Sequence, residues 1–245
     1  VITVRNLHKT LGTQQVLRGI DLEVRAGETC VVLGRSGCGK SVLLKHFIGL
    51  LQPTSGQVFI DGEDIGPLHE RQLGAIRKKV GILFQSGALF DSMTVAENIA
   101  FPLREAGVRD QKEISTRVAE ALEMVDLAGE QSKMPENLSG GMRKRVGLAR
   151  TIVGRPGCIL YDEPTTGLDP IATDSINHLI RRLQKRLQVT SVVVTHDMKT
   201  AFHTADRVAY LHEGRVYFQG SPEELRYSQD PVLQDFVEGR SGETD

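Results

Sequence analysis

The stretch Thr29-Cys30-Val31-Val32-Leu33-Gly34-Arg35-Ser36-Gly37-Cys38-Gly39-Lys40-Ser41 decides the fold. Five residues of buried-strand character run into a glycine-rich turn and then into a helical pattern with Leu44, Phe47, Ile48 and Leu51 on one face, predicted over Ser41 to Leu51. A strand, a G-x-x-x-x-G-K-S turn and a helix form the context that a phosphate-binding loop requires. The glycines let backbone N–H groups close around phosphates, and the helix start adds partial positive charge. Gly34, Arg35, Ser36, Gly37, Cys38, Gly39, Lys40 and Ser41 are therefore the candidate nucleotide-binding residues. Lys40 is placed to reach the β- and γ-phosphates, and the Ser41 hydroxyl to ligate Mg²⁺. Cys38, near a helix start and Lys40, sits where a thiolate is favoured, the alternative being a small residue that only fills a loop position.

Working outward, three more apolar runs lack polar alternation: Lys79 to Phe84, Gly157 to Tyr161 and Thr190 to Thr195. Runs of that kind suit parallel strands buried on both faces. Short strands near Ile2 to Arg5, Ile20 to Val24 and Val58 to Ile60, with turn signals at Gly12-Thr13 and Asp61-Gly62, predict antiparallel pairing at the N-terminal end. Pro170 to Leu187 carries Ile176, Leu179, Ile180, Leu183 and Leu187 at helical spacing. Residues 86–154 show helical periods (Ile114, Val118, Leu122, Val125) and no strand pattern, so they read as a mainly helical insertion. Arg207 to Leu211 and Arg215 to Phe218 flank a turn at Glu213-Gly214, and Ser221-Pro222-Glu223-Glu224 is a capping box. The class is α/β: a P-loop core with a mainly parallel sheet, an antiparallel N-terminal subdomain and an inserted helical subdomain. One domain spans 1–228, and 229–245 is a tail with a flexible end.

Composition narrows the function. The chain has 245 residues, 40% hydrophobic, enough to bury a core. Thirty basic against thirty-one acidic residues give a net charge of −1, so no bulk field draws it to nucleic acid. The basic run Arg143-Lys144-Arg145 reads as the solvated face of a helix. Cys30, Cys38 and Cys158 form no C-x-x-C pair, against a disulfide framework or zinc site. No apolar run approaches the roughly 18 residues of a membrane span, so any membrane role is expected to be peripheral.

Cys158-Ile159-Leu160-Tyr161 ends in Asp162 and Glu163 at the C-terminal edge of a buried strand, where ligands bind in open α/β sheets. Asp162 can hold the Mg²⁺ water shell, and Glu163 can orient or deprotonate an attacking water. Alone, such a pair is often just a solvated strand end. With a phosphate loop it makes a nucleotide hydrolase.

Leu138-Ser139-Gly140-Gly141-Met142, followed by a basic helix, resembles the signature motif of ABC ATPases. Around it the family's plan stands in order: Gln85 ends the strand before the insertion, Gly167-Leu168-Asp169 resembles the D-loop, and His196 after Val192-Val193-Val194-Thr195 matches the switch histidine. Gln85 or His196 alone would pass for a polar strand end and a loop histidine. The resemblance, covering residues 1–228, implies ATP and Mg²⁺ as cofactors. It implies catalytic roles for Lys40, Gln85, Glu163 and His196, metal contacts from Ser41, Gln85 and Asp162, and nucleotide contacts from Ser139, Gly140, Gly141 and Asp169. It further implies a head-to-tail homodimer in which each signature closes over the partner's phosphate loop. Many members stack an aromatic on adenine before the first glycine turn. Leu11 takes that position here, which predicts modest base selectivity.

Within the family, Phe84 to Glu105, Gly39 to His46 and Ser139 to Val146 resemble the ATPase of Mla-type phospholipid transporters. The resemblance implies a multi-spanning permease, an Mce-type substrate-binding protein and sometimes a small STAS-domain subunit as partners, at the cytoplasmic face of a bacterial inner membrane. An ATPase of another solute importer or exporter would share every hydrolytic motif. A soluble ABC ATPase of DNA repair or translation usually joins two such domains or inserts a long coiled coil, and neither pattern is present. Ala88, Leu89, Phe90 and Met93 cluster after Gln85 among turn-formers, marking that segment as the expected permease dock, the alternative being that the four form the helical subdomain's own core.

Overall fold

A computed structural model describes residues 1–240. Along the chain come β1 (Ile2–Leu11), β2 (Gln14–Val24), β3 (Thr29–Leu33), α1 (Lys40–His46), β4 (Ser55–Ile60), β5 (Glu63–Asp64), α2 (Glu70–Lys79) and β6 (Val80–Leu83). Helices α3 (Val95–Glu105), α4 (Gln111–Met124) and α5 (Gly140–Ile152) follow, then β7 (Cys158–Asp162) and α6 (Pro170–Leu187). The chain finishes with β8 (Thr190–Thr195), α7 (Met198–Thr204), β9 (Arg207–His212), β10 (Arg215–Gly220), α8 (Pro222–Arg226) and α9 (Pro231–Val237). The chain divides into two compact units, one built from residues 1–76 and those from 190 onward, the other from Arg77–Val189.

In the first unit an antiparallel sheet runs β2-β1-β4-β5. Its strands alternate, burying Ile2, Val4, Leu17, Ile20, Leu22, Val24, Val58 and Ile60, as one-sided strands must. Beside this sheet in sequence, β3 pairs in parallel with β8 and with β9, and β10 pairs antiparallel with β9. All five residues of β3 and all six of β8 are buried, which explains the missing polar alternation. The hairpin at Glu213-Gly214 forms, but its first strand also joins the parallel sheet through β3.

Helix α1 is shorter than its periodicity suggests. It stops at His46, and the chain turns through Phe47 and Gly49, the latter at φ 63°. Leu50 N–H donates to the Lys45 carbonyl at 2.9 Å, which closes the helix end. The apolar positions beyond continue the buried face without continuing the helix. Helix α2, which no clear sequence period marks, buries only Leu73 and Ile76.

The second unit pairs β6 with β7 in parallel, and between them lie α3, α4, α5 and a single 3₁₀ turn at Pro135–Asn137. Ile114, Val118, Leu122 and Val125 all face its core. Helix α3 opens on a capping box, Thr94 with Glu97, and α6 on Asp169 followed by proline. The capping box at Ser221 also forms. Part of the expected tail is ordered: α9 buries Leu233 and sets Phe236 against Tyr210 with ring centroids 4.6 Å apart. The remainder, residues 241–245, lies outside the described residues. No helix among the described residues is long and apolar enough to cross a membrane.

Candidate functional site

The phosphate loop is built by the edge of the first unit's parallel sheet. Leu33 is in register with Thr195 on β8, so Gly34 and His196 leave neighbouring strands side by side at the C-terminal edge. Backbone crowding fixes the loop. A Cβ on Gly34 would lie 2.6 Å from the Leu211 carbonyl oxygen and 2.5 Å from Cys38 Sγ. Gly37 and Gly39 adopt φ 79° and 105°, in the left-handed region that glycine takes without a Cβ clash. At Gly37 the space around a notional Cβ is open, so the cradle has room over its rim, where Arg35 and Ser36 are exposed. Lys40, buried, arches back so that Nζ donates to the Gly34 and Arg35 carbonyls at 2.8 and 3.1 Å. Helix α1 starts at Lys40 with no side-chain cap and no acidic residue in its first turn, so the partial positive charge of the helix start is not offset by a carboxylate there. Ser41 is the next residue, half-buried. His196 is exposed and directly precedes Asp197, the N-cap of α7. Leu11, at the end of β1, is exposed.

Cys38 is the accessible thiol. Cys30 and Cys158 are buried, and burial pushes the Cys30 thiol up to about 12, so that it stays protonated. Maleimide is expected to label Cys38 alone in the folded protein and to abolish hydrolysis, with bound ATP protecting it. Peptide mapping and residual activity check this. A Cys38→Ser variant that stays equally sensitive would place the reactive thiol elsewhere.

In the second unit the same edge logic repeats. Leu83 on β6 is in register with Tyr161 on β7, so Gln85 and the pair Asp162-Glu163 emerge together. Gln85 is exposed, whereas Asp162 and Glu163 are buried. Glu163 has φ 48°, a conformation that costs a non-glycine residue about 1–2 kcal/mol. The turn that follows holds it: Thr166 N–H donates to the Glu163 carbonyl at 3.3 Å and Thr166 Oγ1 to Glu163 Oε2 at 3.2 Å.

Ser139 caps α5, its hydroxyl accepting from Met142 N–H at 3.2 Å, and no acidic residue occupies the first turn of that helix. Asp169 caps α6, accepting from Ile171 and Ala172 N–H, each at 2.9 Å. The two helix starts meet. A Cβ at Gly140 would lie 3.4 Å from Leu168, and one at Gly141 would lie 3.8 Å from Ala172. Ser139, Gly140, Gly141 and Asp169 thus form one surface, on which Ile171 is 84% exposed.

The segment after Gln85 is ordered by two side chains that the sequence did not single out. Buried Asn98 accepts from Phe90 N–H at 2.8 Å, and its amide donates to the carbonyls of Phe90, Met93 and Thr94. Arg150 donates to the Gly87 and Ala88 carbonyls at 2.9 and 2.8 Å. Ala88 and Phe90 are exposed, whereas Leu89 and Met93 are half-buried. The basic run on α5 differs from a solvated face. Arg143 is exposed, but Arg145 reaches the Val125 carbonyl, Asp126 and Ser175, and Lys144 is only 5% exposed. Helical rotation points successive residues 100° apart, so three adjacent cations cannot share one face.

The ABC transporter family model matches residues 17–166, which run from β2 through the phosphate loop, the signature and the carboxylate pair. The chain belongs to the ATP-binding family of ABC transporters. Among relatives, it is 43% identical to a probable ribonucleotide transport ATP-binding protein, mkl, of Mycobacterium leprae, over 98% of this chain and 69% of that one. It is 40% identical to the intermembrane phospholipid transport system ATP-binding protein MlaF of Haemophilus influenzae, over 98% of this chain and 91% of that one. A dimeric ATP-binding cassette solved in a post-hydrolysis state with ADP and Pi superimposes with TM-score 0.83 at 33% identity, covering 91% of this chain and 99% of that one. As a member of this family the chain is an ATP-hydrolysing, transport-coupled ATPase that takes ATP with Mg²⁺. The residue types suit both groups: a glycine cradle before a helix start with no side-chain cap for phosphates, and in each unit, taken by itself, a hard oxygen donor of the kind Mg²⁺ takes, Ser41 in the first and Asp162 in the second.

Proposed function

We propose that this ABC ATPase works as a head-to-tail homodimer that powers a multi-spanning permease moving phospholipid at the cytoplasmic face of a bacterial inner membrane. The observation that carries the dimer is the shared surface of Ser139, Gly140, Gly141 and Asp169. It offers a helix start with no acidic residue in its first turn and a bare apolar side chain, Ile171, in a chain that already has a phosphate loop of its own. A second copy uses both. Its phosphate loop presents the γ-phosphate to Ser139 and the Gly140 and Gly141 amides, and Ile171 is covered in the process.

Within this arrangement Arg35 to Ser41 hold the phosphates, Lys40 turning its ammonium from the loop carbonyls to the β- and γ-oxygens. Ser41, Gln85 and Asp162 would hold Mg²⁺, which would supply charge neutralisation at the phosphates. Glu163 accepts the proton of the attacking water, His196 donates to the γ-phosphate, and Asp169 aligns the two copies. Leu11 packs the base without π-stacking, which leaves modest selectivity between ATP and GTP.

Phospholipid as the cargo is supported by a match that extends over 91% of the MlaF protein, and by the likeness of the Phe84 to Glu105 segment to Mla-type ATPases. That reading includes an Mce-type binding protein and a STAS-domain subunit. A second reading, solute transport, is favoured by the 43% identity to the ribonucleotide transport relative. The membrane protein that co-purifies with the full chain in mild detergent, reconstituted and assayed for ATP-dependent movement of labelled phospholipid and of ribonucleotide, separates the two. Ribonucleotide movement alone would overturn the phospholipid assignment.

The dock for the permease is the segment after Gln85. Phe90 is 41% exposed, with its ring 4.9 Å from Phe101, on a loop pinned by Asn98 and Arg150. A rigidly mounted, exposed aromatic is the residue type that anchors interfaces. Phe90→Ser is expected to cost about 0.5–1.5 kcal/mol of ring contact, to keep nucleotide binding, and to lose the permease on co-purification. Calorimetry, nucleotide titration and pull-down read the three quantities, and a fully assembled, active complex would remove Phe90 from the dock.

A further inference from the structure

Lys144 has no part in the motif roles, yet it is among the few buried charged side chains of the described residues. Its ammonium donates to the main-chain carbonyl of Gln85 and, at 3.4 Å, to that of Glu163. Those carbonyls belong to the segments leaving β6 and β7, where the parallel register already brings them side by side. Lys144 stands in the second turn of α5, the helix that begins at the signature. Burial pushes the Lys144 ammonium below the ordinary lysine range, and the carboxylates of Asp162 and Glu163 act in the opposite sense.

Burying an ammonium costs several kcal/mol unless donors and charges are matched, so one placed under two loop carbonyls calls for a return in structure or function. The carbonyl at Glu163 shows what that return is. Glu163 is held at φ 48°, and a left-handed non-glycine residue persists only where its surroundings over-determine it. Thr166 holds the Glu163 carbonyl from the following turn, and Lys144 holds it from α5. The same ammonium ties down the first residue of the segment that Asn98 and Arg150 order further along.

We propose that Lys144 is a positioning residue for hydrolysis, tying the backbones of Gln85 and Glu163 to the signature helix so that all three move as one body. This rests on the reading of Glu163 as the base that activates water. A carboxylate set about 1 Å out of place can lose 10²-fold in rate, so the amine acts on turnover rather than on nucleotide affinity.

The test uses the full chain purified with its membrane partner, comparing parent, Lys144→Met, Lys144→Arg, Glu163→Gln and the double variant Lys144→Met/Glu163→Gln. Lys144→Met, similar in length but without a donor, is expected to lower kcat at least 10-fold with KM and nucleotide binding within twofold of the parent. Lys144→Arg, which still donates, is expected to keep at least a third of the turnover. The double variant, followed by single-turnover hydrolysis, is expected within twofold of Glu163→Gln, because a residue acting through Glu163 has nothing left to position.

A Lys144→Met rate within twofold of the parent overturns the inference. So does an equal further loss in the double variant, or a folded Lys144→Arg as slow as Lys144→Met. A joint fall of melting temperature and nucleotide binding in both Lys144 variants also overturns it, making the amine a structural prop only. If Glu163→Gln itself runs at the parent rate, it is the base assignment that fails, and that outcome is read independently of every Lys144 variant.

Discussion

Glu163→Gln is expected to slow ATP hydrolysis by about 10²- to 10⁴-fold, the usual contribution of a general base. The amide keeps the size and the Thr166 contact of the buried carboxylate, so the fold and the φ 48° turn stay as they are. It cannot take a proton. ATP binding, which belongs to the phosphate loop, is expected to persist within a few-fold. With binding intact and turnover blocked, ATP becomes a stable bridge between two copies, and light scattering should report an ATP-dependent dimer that the parent forms only transiently. Hydrolysis near the parent rate would transfer the base role to another group.

The second large effect is expected at the signature. Gly141→Asp should lower turnover by about 10³-fold, within the range for transition-state donors supplied in trans. Sterically the change is mild, since the new Cβ would sit 3.8 Å from Ala172, an ordinary contact. Helix energetics favour it as well, because a carboxylate in the first turn of α5 complements the partial positive charge there, where no acidic residue now stands. The fold is therefore expected to hold or gain slightly while the anion site is filled by a fixed negative charge. Two readouts separate trans from cis. Nucleotide affinity of the monomer should be unchanged, and in the Glu163→Gln background the ATP-dependent dimer should disappear. A monomer that loses nucleotide affinity would mean that the signature serves its own chain's phosphate loop.

Both predictions use residues that sequence patterns identify, and the reason is local. A phosphate loop, a strand ending in two carboxylates, and a capped helix start are each encoded within about a dozen contiguous residues, because their conformations are set by glycine φ, strand burial and capping. The structure bears out the buried strand, β7, and adds what its neighbours do: Gly37 and Gly39 are left-handed, and Ser139 accepts from Met142. The antiparallel start, the parallel strands and the helical insertion were legible for the same reason, since each has its own hydrophobic period.

Less legible was whatever depends on partners remote in sequence. Helix α1 ends at His46 although its apolar spacing runs on, because burial continues through a turn. Strand β9 reads as half of a hairpin, and only the fold makes it the parallel neighbour of β3. Asn98 and Arg150 look like ordinary helical polar residues until the loop carbonyls they serve are in place.

The amino-acid sequence by itself determined that this protein binds and hydrolyses a nucleotide, because the chemistry of phosphate binding is written in short contiguous segments whose backbone shape follows from glycine and helix-start rules. The tertiary structure decided which of three adjacent cations on α5 is buried. Arg143 faces solvent, whereas Lys144 turns inward beneath carbonyls 59 and 19 residues away in the chain. Helical period fixes the angle between neighbouring side chains but not what stands opposite each one. That is set only when β6 and β7 come into register and their ends converge over the helix.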